Sequence, residues 1–302
     1  MSDEQHQQRR EDEPALTPLD TLYDAARGEP LPLPPELAAL YGPLRLPTPP
    51  AAASAGRPLM ISNFVSTLDG VVALAEPGYA GGGAISGYDK HDRAVMGLLR
   101  AISDAVVVGA GTLRSVPRSL WTAEHIYPPL APAYAALRAA LGKPEPPLNV
   151  IVTAHGALDL ALPVFASGAV PALIVTTPRG AERLAAETLP PGVRVAAGGD
   201  VDRVSAPDVL AAIHNVRPAS TTILVEGGPQ LMADFFTAHL IDDLFLTLAP
   251  QVAGRAAASP RPSLVEGALF LPAQPLWSTL VSMRRGDSHL FLRYGFNPSP
   301  EG

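Results

Sequence analysis

Residues 222–238 read Thr222-Ile-Leu-Val-Glu-Gly-Gly-Pro-Gln-Leu-Met-Ala-Asp-Phe-Phe-Thr-Ala238, an aliphatic run that meets a glycine pair and then a helix-like segment. This order predicts a buried strand, a tight turn and a helix that begins at Pro229, because proline is favoured in the first helical turn. Free backbone N–H groups at such a turn bind phosphate groups, and Glu226 would place a carboxylate beside them. An ordinary strand-to-helix connection explains the same pattern without a ligand.

The alternation of aliphatic runs and helix-like segments extends over most of the chain from Arg57 onward, and Ser205 with Asp208 resembles a helix-capping arrangement. Such alternation is typical of an α/β domain, a three-layer sandwich in which helices cover both faces of a mostly parallel central sheet. The predicted strands are 60–65, 105–108, 150–153, 172–176, 193–196, 222–225 and 244–248, with an antiparallel edge strand at 290–294. The predicted helices are 89–103, 131–141, 180–187, 206–215 and 229–238.

The N-terminal part differs in composition from the rest of the chain. Ten of the 34 prolines lie within the first 50 residues, and the first residues are strongly charged. We therefore predict a Pro-rich, largely flexible arm over residues 1–56, in which residues 36–41 form one helical turn that docks on the body. One continuous α/β domain would follow at 57–297, with a short tail at 298–302.

Composition excludes several classes of function. The net charge of −7 and the pI near 5.5 argue against a nucleic-acid-binding surface. The absence of cysteine excludes disulfides, thiolate metal sites and cysteine nucleophiles, and the seven histidines are scattered, so we predict no metal site. Without an apolar run of membrane-spanning length or a signal peptide, the sequence predicts a cytoplasmic enzyme that acts on a small molecule.

A second glycine turn follows the predicted strand at 105–108. Gly109 and Gly111 begin like a dinucleotide-binding fingerprint, but Arg114 occupies the place of the third glycine, so the Rossmann interpretation fails. What remains is a turn that lets a ligand approach the backbone, with the Thr112 hydroxyl available to a phosphate. Arg114 and Arg118 either bind a second phosphate, such as the 2′-phosphate of NADP, or are solvated loop charges.

Two further segments carry candidate residues. Asp69 and Gly70 follow a predicted strand and by pattern alone favour a turn. The glycine-rich loop at 78–86 either folds over a ligand or is simply mobile. Arg100 lies on an apolar helix face, where a cation either extends to water or faces an anionic ligand.

Taken in order, four motifs resemble the RibD C-terminal reductase family of riboflavin biosynthesis, which has a dihydrofolate-reductase-like fold. The motifs are 66–70, 98–101, 104–112 and 224–229, and they are followed by Asp242-Asp-Leu and by 249–254. The resemblance covers roughly residues 57–297. It implies a homodimeric enzyme that uses NADPH to reduce the ribosyl group of a 5-amino-6-(5-phosphoribosylamino)pyrimidine (uracil) to ribityl.

The resemblance also implies roles for particular residues. Glu226, Arg100 and Leu120 would face the phosphorylated substrate, and Asp69 and Glu226 are the carboxylates considered for catalysis. Water or the amine of the substrate could equally deliver the proton. The implied NADPH contacts are Val65, Gly109, Gly111, Thr112, Thr153, Gly228, Pro229, Gln230, Leu231, Met232, Ala233 and Asp234.

The chain departs from the family pattern on the substrate side. Residues 82–84 read Gly-Gly-Ala where family members carry Ser-x-Trp, and residues 119–123 lack the usual arginine, whose phosphate contact Arg118 could replace. Reduction of a pterin or dihydrofolate, and NADP binding without catalysis, therefore stay open. Full-length family enzymes carry a zinc deaminase whose signature needs cysteine, so no deaminase activity is expected. The apolar stretch 240–250 with Phe245 is either a dimer interface or a core strand.

Overall fold

The computed structural model describes residues 16–47, 57–74, 81–200, 202–257, 259 and 261–296. The strands are β1 (Asp20–Asp24), β2 (Glu29–Pro30), β3 (Arg45–Leu46), β4 (Leu59–Ser66), β5 (Ala105–Gly109), β6 (Leu148–Thr153), β7 (Ala172–Thr176), β8 (Val193–Ala197), β9 (Thr222–Val225), β10 (Asp243–Leu248), β11 (Thr279–Gly286) and β12 (His289–Gly295).

The helices lie between these strands. They are α1 (Pro35–Tyr41), α2 (Gly82–Ser86), α3 (Lys90–Ile102), α4 (Ala110–Ser115), α5 (Ala123–Ile126), α6 (Ala131–Ala140), α7 (Pro163–Ala166), α8 (Pro178–Ala185), α9 (Ala206–Val216) and α10 (Pro229–Thr237), with a 3₁₀ turn at Pro128–Leu130. No helix among the described residues is long and apolar enough to cross a membrane.

The central sheet has ten strands in the order β1-β11-β12-β10-β4-β9-β5-β6-β7-β8. Each neighbouring pair from β10 to β8 is parallel, whereas β12, β11 and β1 are added antiparallel to one another and to β10. The predicted α/β class, with a mostly parallel sheet and an antiparallel C-terminal strand, is confirmed. The carboxyl ends of the seven parallel strands lie at one edge, where α/β proteins bind their ligands.

Hydrophobic cores lie on both faces of the sheet. Side chains alternate along a strand, so Val106 and Val108 of β5 join one core, whereas Ala105 and Val107 join the other. Residues of α1, α3 and α6 fill the first core, and residues of α9 and α10 fill the second. This is the three-layer arrangement that near-continuous aliphatic strands predict.

All predicted strands and helices are present, with ends that differ by a few residues. The Ser205–Asp208 capping box forms as expected. The strand predicted at 290–294 is antiparallel, and two strands that the sequence did not predict lie outside it, β11 and β1. The hydrophobic pattern of the sequence does not indicate β11, because this strand carries two arginines. One of them, Arg284, has an exposed fraction of only 1%.

The N-terminal arm contributes to the core within residues 16–47, which differs from the expected flexible tail. The helical turn predicted at 36–41 is present as α1, with Leu37 and Leu40 buried. Arg284 donates to the carbonyl oxygens of Tyr41 and Pro43, at 2.7 Å and 2.9 Å, and so fixes the chain after α1. Residues 1–15 and 48–56 lie outside the described residues, and the domain boundaries stay a prediction.

Candidate active site

The two glycine turns lie side by side at the carboxyl edge of the sheet. Strands β5 and β9 are adjacent and parallel, and the Gly109 amide donates to the Gly227 carbonyl oxygen at 2.8 Å. The Gly227–Gly228 peptide bond is cis, and Gly227 has a φ of 108°, which favours glycine. A Cβ added to Gly228 would lie 3.5 Å from Thr112 Oγ1. Two motifs more than 100 residues apart in sequence thus form one surface.

The first turn of α10 is the open part of this surface. Gly228 and Pro229 are half-buried and Gln230 is exposed, so a ligand can reach the helix N-terminus. The next three predicted cofactor contacts, Leu231, Met232 and Ala233, are buried, so their side chains pack inside the protein. Asp234 forms an ion pair with Arg203. Backbone groups of the first turn are therefore better placed for a ligand than the later side chains.

Val65 and Thr153 flank the glycine turns along the same edge. Val65 lies near the end of β4, and Thr153 is the last residue of β6; both are almost fully buried. Gly82 packs closely on Val65, because a Cβ at Gly82 would lie only 2.9 Å from Val65 Cγ1. This contact brings the glycine-rich segment that contains α2 to the edge of β4.

Arg114 and Arg118 are the two arginines that follow the Gly109 turn in the sequence. Both are exposed, and neither makes a hydrogen bond or ion pair with the residues that the structure describes. A Cβ at Gly111 would lie 4.0 Å from Arg114 Nη2, so this guanidinium reaches back over the start of α4. An anion bound at the turn would therefore find Arg114 close by.

Arg100 and Glu226 form a bidentate ion pair under the glycine turn. Arg100 donates from Nε to Glu226 Oε1 at 2.9 Å and from Nη2 to Oε2 at 2.7 Å. The exposed fractions of the two side chains are 4% and 6%, so Arg100 does not extend to water. Its Nη1 donates to the Thr122 carbonyl oxygen at 3.2 Å, with the Leu120 carbonyl oxygen at 3.5 Å.

The Arg100–Glu226 ion pair affects the contacts that were predicted between these residues and the substrate. Each nitrogen of the Arg100 guanidinium already has a protein acceptor, so the geometry favours a role in positioning Glu226 and residues 120–122. Leu120 is half-buried, and its carbonyl oxygen faces Arg100. Contact between Arg100 and a substrate phosphate stays a prediction, as does contact with Leu120 or Glu226.

Asp69 stabilises the loop that follows β10. Its carboxylate accepts hydrogen bonds from the Thr67 hydroxyl at 2.6 Å and from the amides of Ala253 and Gly254 at 3.0 Å and 2.8 Å. These bonds, that of Thr67 first, lower the pKa of Asp69 to about 2. Asp69 is therefore ionised near neutral pH, which does not favour it as a proton donor.

Asp92 carries a further carboxyl group near the candidate active site. The sequence pattern did not predict a role for this residue. Burial raises the pKa of Asp92 to about 6, although hydrogen bonds with Thr247 and Ser86 oppose this effect. Thr247 pairs in register with Val65, a predicted cofactor contact. In the sequence, Asp92 looks like an ordinary acidic residue in the first turn of a helix. Only the pairing of β10 with β4 brings it to the site.

Most of the chain matches a known protein family. The model of the RibD C-terminal domain family matches residues 58–286. The chain belongs to this family. No curated protein matches the chain. The resemblance on the four motifs is thereby confirmed.

Solved structures share the fold over most of the chain. A pyrimidine reductase-like protein from Corynebacterium diphtheriae is 19% identical, with a TM-score of 0.63, and the match covers 87% of this chain and 98% of that protein. The Thermotoga maritima diaminohydroxyphosphoribosylaminopyrimidine deaminase/5-amino-6-(5-phosphoribosylamino)uracil reductase is 22% identical, with a TM-score of 0.59, and the match covers 80% of this chain. This chain spans 58% of the Thermotoga protein.

A yeast relative extends the same comparison. The riboflavin biosynthesis reductase Rib7 from Saccharomyces cerevisiae is 13% identical, with a TM-score of 0.51, and the match covers 82% of this chain and 93% of that protein. At these identities the likeness concerns the fold. Together with the family match, it supports an oxidoreductase of the riboflavin biosynthesis reductase type.

Proposed function

We propose that the protein is an NADPH-dependent reductase that converts the ribosyl group of a 5-amino-6-(5-phosphoribosylamino)pyrimidine to ribityl in riboflavin biosynthesis. The observation that carries this proposal is the pairing of the two glycine turns through the Gly109 amide and the Gly227 carbonyl oxygen. The pairing opens a backbone surface at the N-terminus of a nine-residue helix, where phosphate groups bind. Among the solved relatives, the Thermotoga protein carries this reductase activity in its name.

The residues at this edge fit NADPH. Amides at Gly228 and Gln230 and the Thr112 hydroxyl would hold the pyrophosphate, and Arg114 and Arg118 would bind the 2′-phosphate. Val65 would lie against the nicotinamide. NADPH supplies the hydride when bound, and the protein orients the reactants and excludes water.

The reduction also requires a proton donor. The hydride acceptor would be C1′ of the opened sugar, as a carbonyl or an imine. Asp69 is ionised, and Glu226 accepts two hydrogen bonds from Arg100, so neither carboxylate is favoured as the donor. Water or the amine of the substrate is the better source of the proton in this arrangement.

A specific observation favours a second substrate class. A pterin ring needs a buried carboxyl group that can pair with its ring donors. Asp92 of α3 is buried beside Thr247 of β10, and Thr247 pairs with Val65 of β4. Reduction of a pterin or dihydrofolate is therefore the alternative activity of the same cofactor site.

Turnover with defined substrates separates these functions. The purified chain is incubated with NADPH and either the phosphoribosylamino pyrimidine or dihydrofolate, and loss of the reduced nicotinamide absorbance is followed. We expect turnover with the pyrimidine. Turnover with dihydrofolate alone would establish the second class. NADPH binding without turnover on either compound would indicate a binding protein without catalysis.

The preference for NADPH over NADH tests the role of Arg114. We expect Arg114→Gln to weaken NADPH binding at least about tenfold, because a charge-assisted contact with the 2′-phosphate is lost, and to leave NADH binding unchanged. Arg194→Gln is the matched control, since Arg194 is an exposed arginine on β8, at the far end of the sheet. Equal losses for both cofactors would contradict a 2′-phosphate contact.

We further propose that the protein acts as a cytoplasmic homodimer without deaminase activity and without a nucleic-acid or membrane partner. Phe245 is buried on β10 between β4 and β12, which makes residues 240–250 mainly a core segment rather than an interface. Exposed apolar side chains occur instead at Leu269, Leu271 and Trp277. Sedimentation equilibrium of the wild type and of Trp277→Ser tests the dimer, which the variant should weaken if this surface forms the contact.

A further inference from the structure

We propose that Asp89, His91 and Asp287 form a binding site for a divalent transition-metal ion. Asp89 caps the N-terminus of α3, and Asp287 lies in the turn between β11 and β12. Arg100 lies in the last turn of the same helix, whereas Asp92 lies in its first turn beside the cluster. The sequence predicted no metal site, because its histidines are scattered and the third ligand lies almost 200 residues away.

The three ligand atoms are already close together. One oxygen of each carboxylate and one ring nitrogen of His91 all lie within 4.8 Å of one another. His91 Nδ1 lies 3.9 Å from Asp89 Oδ1. In a tetrahedral site with bonds of about 2.1 Å, ligand atoms are separated by about 3.4 Å. The three atoms would have to approach one another by about 1.4 Å or less to surround one ion, since 4.8 Å is the upper limit of their separations.

His91 presents an unpaired nitrogen to this cluster. Its Nε2 lies 2.9 Å from the Thr17 carbonyl oxygen, which can only accept, so Nε2 carries a proton. In the neutral ring, Nδ1 then has a free lone pair. The His91 side chain is fully buried, and Nδ1 has no hydrogen-bond partner. Metal-binding histidines have this arrangement, in which the second ring nitrogen donates to a backbone carbonyl.

A second histidine repeats the arrangement on the other oxygen of Asp89. His289 Nε2 lies 3.0 Å from the Ser86 carbonyl oxygen, and its Nδ1 lies 3.7 Å from Asp89 Oδ2. Gly286 packs directly against His91, since a Cβ there would lie 2.7 Å from Leu19 Cδ2 and 3.2 Å from His91 Nδ1. Gly286 does not have a positive φ, so its backbone does not by itself demand glycine.

The competing occupant of the cluster is a proton on His91 Nδ1. Asp89 raises the pKa of His91, so an imidazolium would also neutralise part of the cluster. Two carboxylates with one imidazole balance a 2+ ion better than a single proton, and this mixed nitrogen and oxygen set suits Zn²⁺, Co²⁺ or Mn²⁺. The ion would link α3 to the β11–β12 turn and, through His91, to Thr17 of the arm.

Titration of the chelator-treated full chain with Zn²⁺ tests the proposal. We expect one site with a Kd of about 10 μM or tighter by calorimetry, and a higher Tm with Zn²⁺. Asp287→Asn should weaken binding at least about tenfold. Asparagine accepts the positive φ of 51° at position 287, so this variant should keep the fold. Asp20→Asn is the matched control, because it removes an exposed carboxylate that pairs with Arg285 nearby.

Three results would each overturn the proposal. The first is the absence of measurable Zn²⁺ binding by the wild type. The second is equal Zn²⁺ affinity in the wild type and in Asp287→Asn. The third is a His91 ring that remains protonated at Nδ1 in saturating Zn²⁺, as measured by nitrogen NMR of the histidine side chains, because the proton would then be the occupant.

Discussion

The Arg100–Glu226 pair is a buried ion pair that stabilises the candidate site only while both partners are present. Glu226→Gln would leave the Arg100 guanidinium charged in a place that is closed to water. We expect the free energy of unfolding to fall by about 3–5 kcal/mol, which denaturant unfolding measures. Glu187→Gln, on an exposed side chain, should change it by less than about 0.5 kcal/mol. Equal stability of Glu226→Gln and the wild type would contradict the pairing.

Gly109 offers a test of ligand approach that does not disturb the fold. A Cβ at this position would lie 3.6 Å from the Gly228 amide nitrogen, an ordinary contact within the protein, but it would project between the two turns. We expect Gly109→Ala to weaken NADPH binding at least about tenfold while changing stability by less than about 1 kcal/mol. Gly295→Ala on β12 is the control, because a Cβ there would lie 3.4 Å from Val281 Cγ2 and 3.5 Å from Asp243 Oδ1. Unchanged NADPH affinity would place the cofactor elsewhere.

At the scale of elements, Asp104 joins the start of β5 to β9. Its Oδ2 accepts from Lys143 Nζ at 2.8 Å and from the amides of Thr221 and Thr222 at 2.8 Å and 3.0 Å. Asp104→Asn should lower the free energy of unfolding at pH 7 by about 2 kcal/mol, because a charged acceptor of several hydrogen bonds is lost. Denaturant unfolding of the variant and the wild type measures the difference.

The same residue gives a prediction with pH. Burial by itself raises the pKa of Asp104, but Lys143 and the two amides outweigh it, so the pKa is lowered on balance. A lowered pKa stabilises the folded state above the unfolded value of about 4, and this stabilisation is lost as the pH falls further. The difference between Asp104→Asn and the wild type should therefore narrow below about pH 4. A difference in the free energy of unfolding that stayed constant from pH 7 to pH 3 would contradict a lowered pKa of Asp104.

At the scale of the whole molecule, the sequence predicted those elements that are determined by a short local pattern of residues. The parallel strands are aliphatic runs buried on both faces, and the glycine turns follow them directly, so both could be read from short segments. Strands β1 and β11 were missed because pairing and the buried Arg284 define them, not an apolar run. Asp92 and the cluster around His91 were missed for a related reason, since Thr247 and Asp287 lie more than 150 residues further along the chain.

The packed part of the arm gives the last prediction. Leu37 is fully buried in the same core as Leu98 of α3, so the arm and the reductase domain should unfold together. We expect Leu37→Ala to lower the free energy of unfolding by about 2–5 kcal/mol in a single transition. Leu22→Ala, at a leucine with an exposed fraction of 47%, should have little effect. If Leu37→Ala unfolded at the same denaturant concentration as the wild type, the arm would not belong to the folded core.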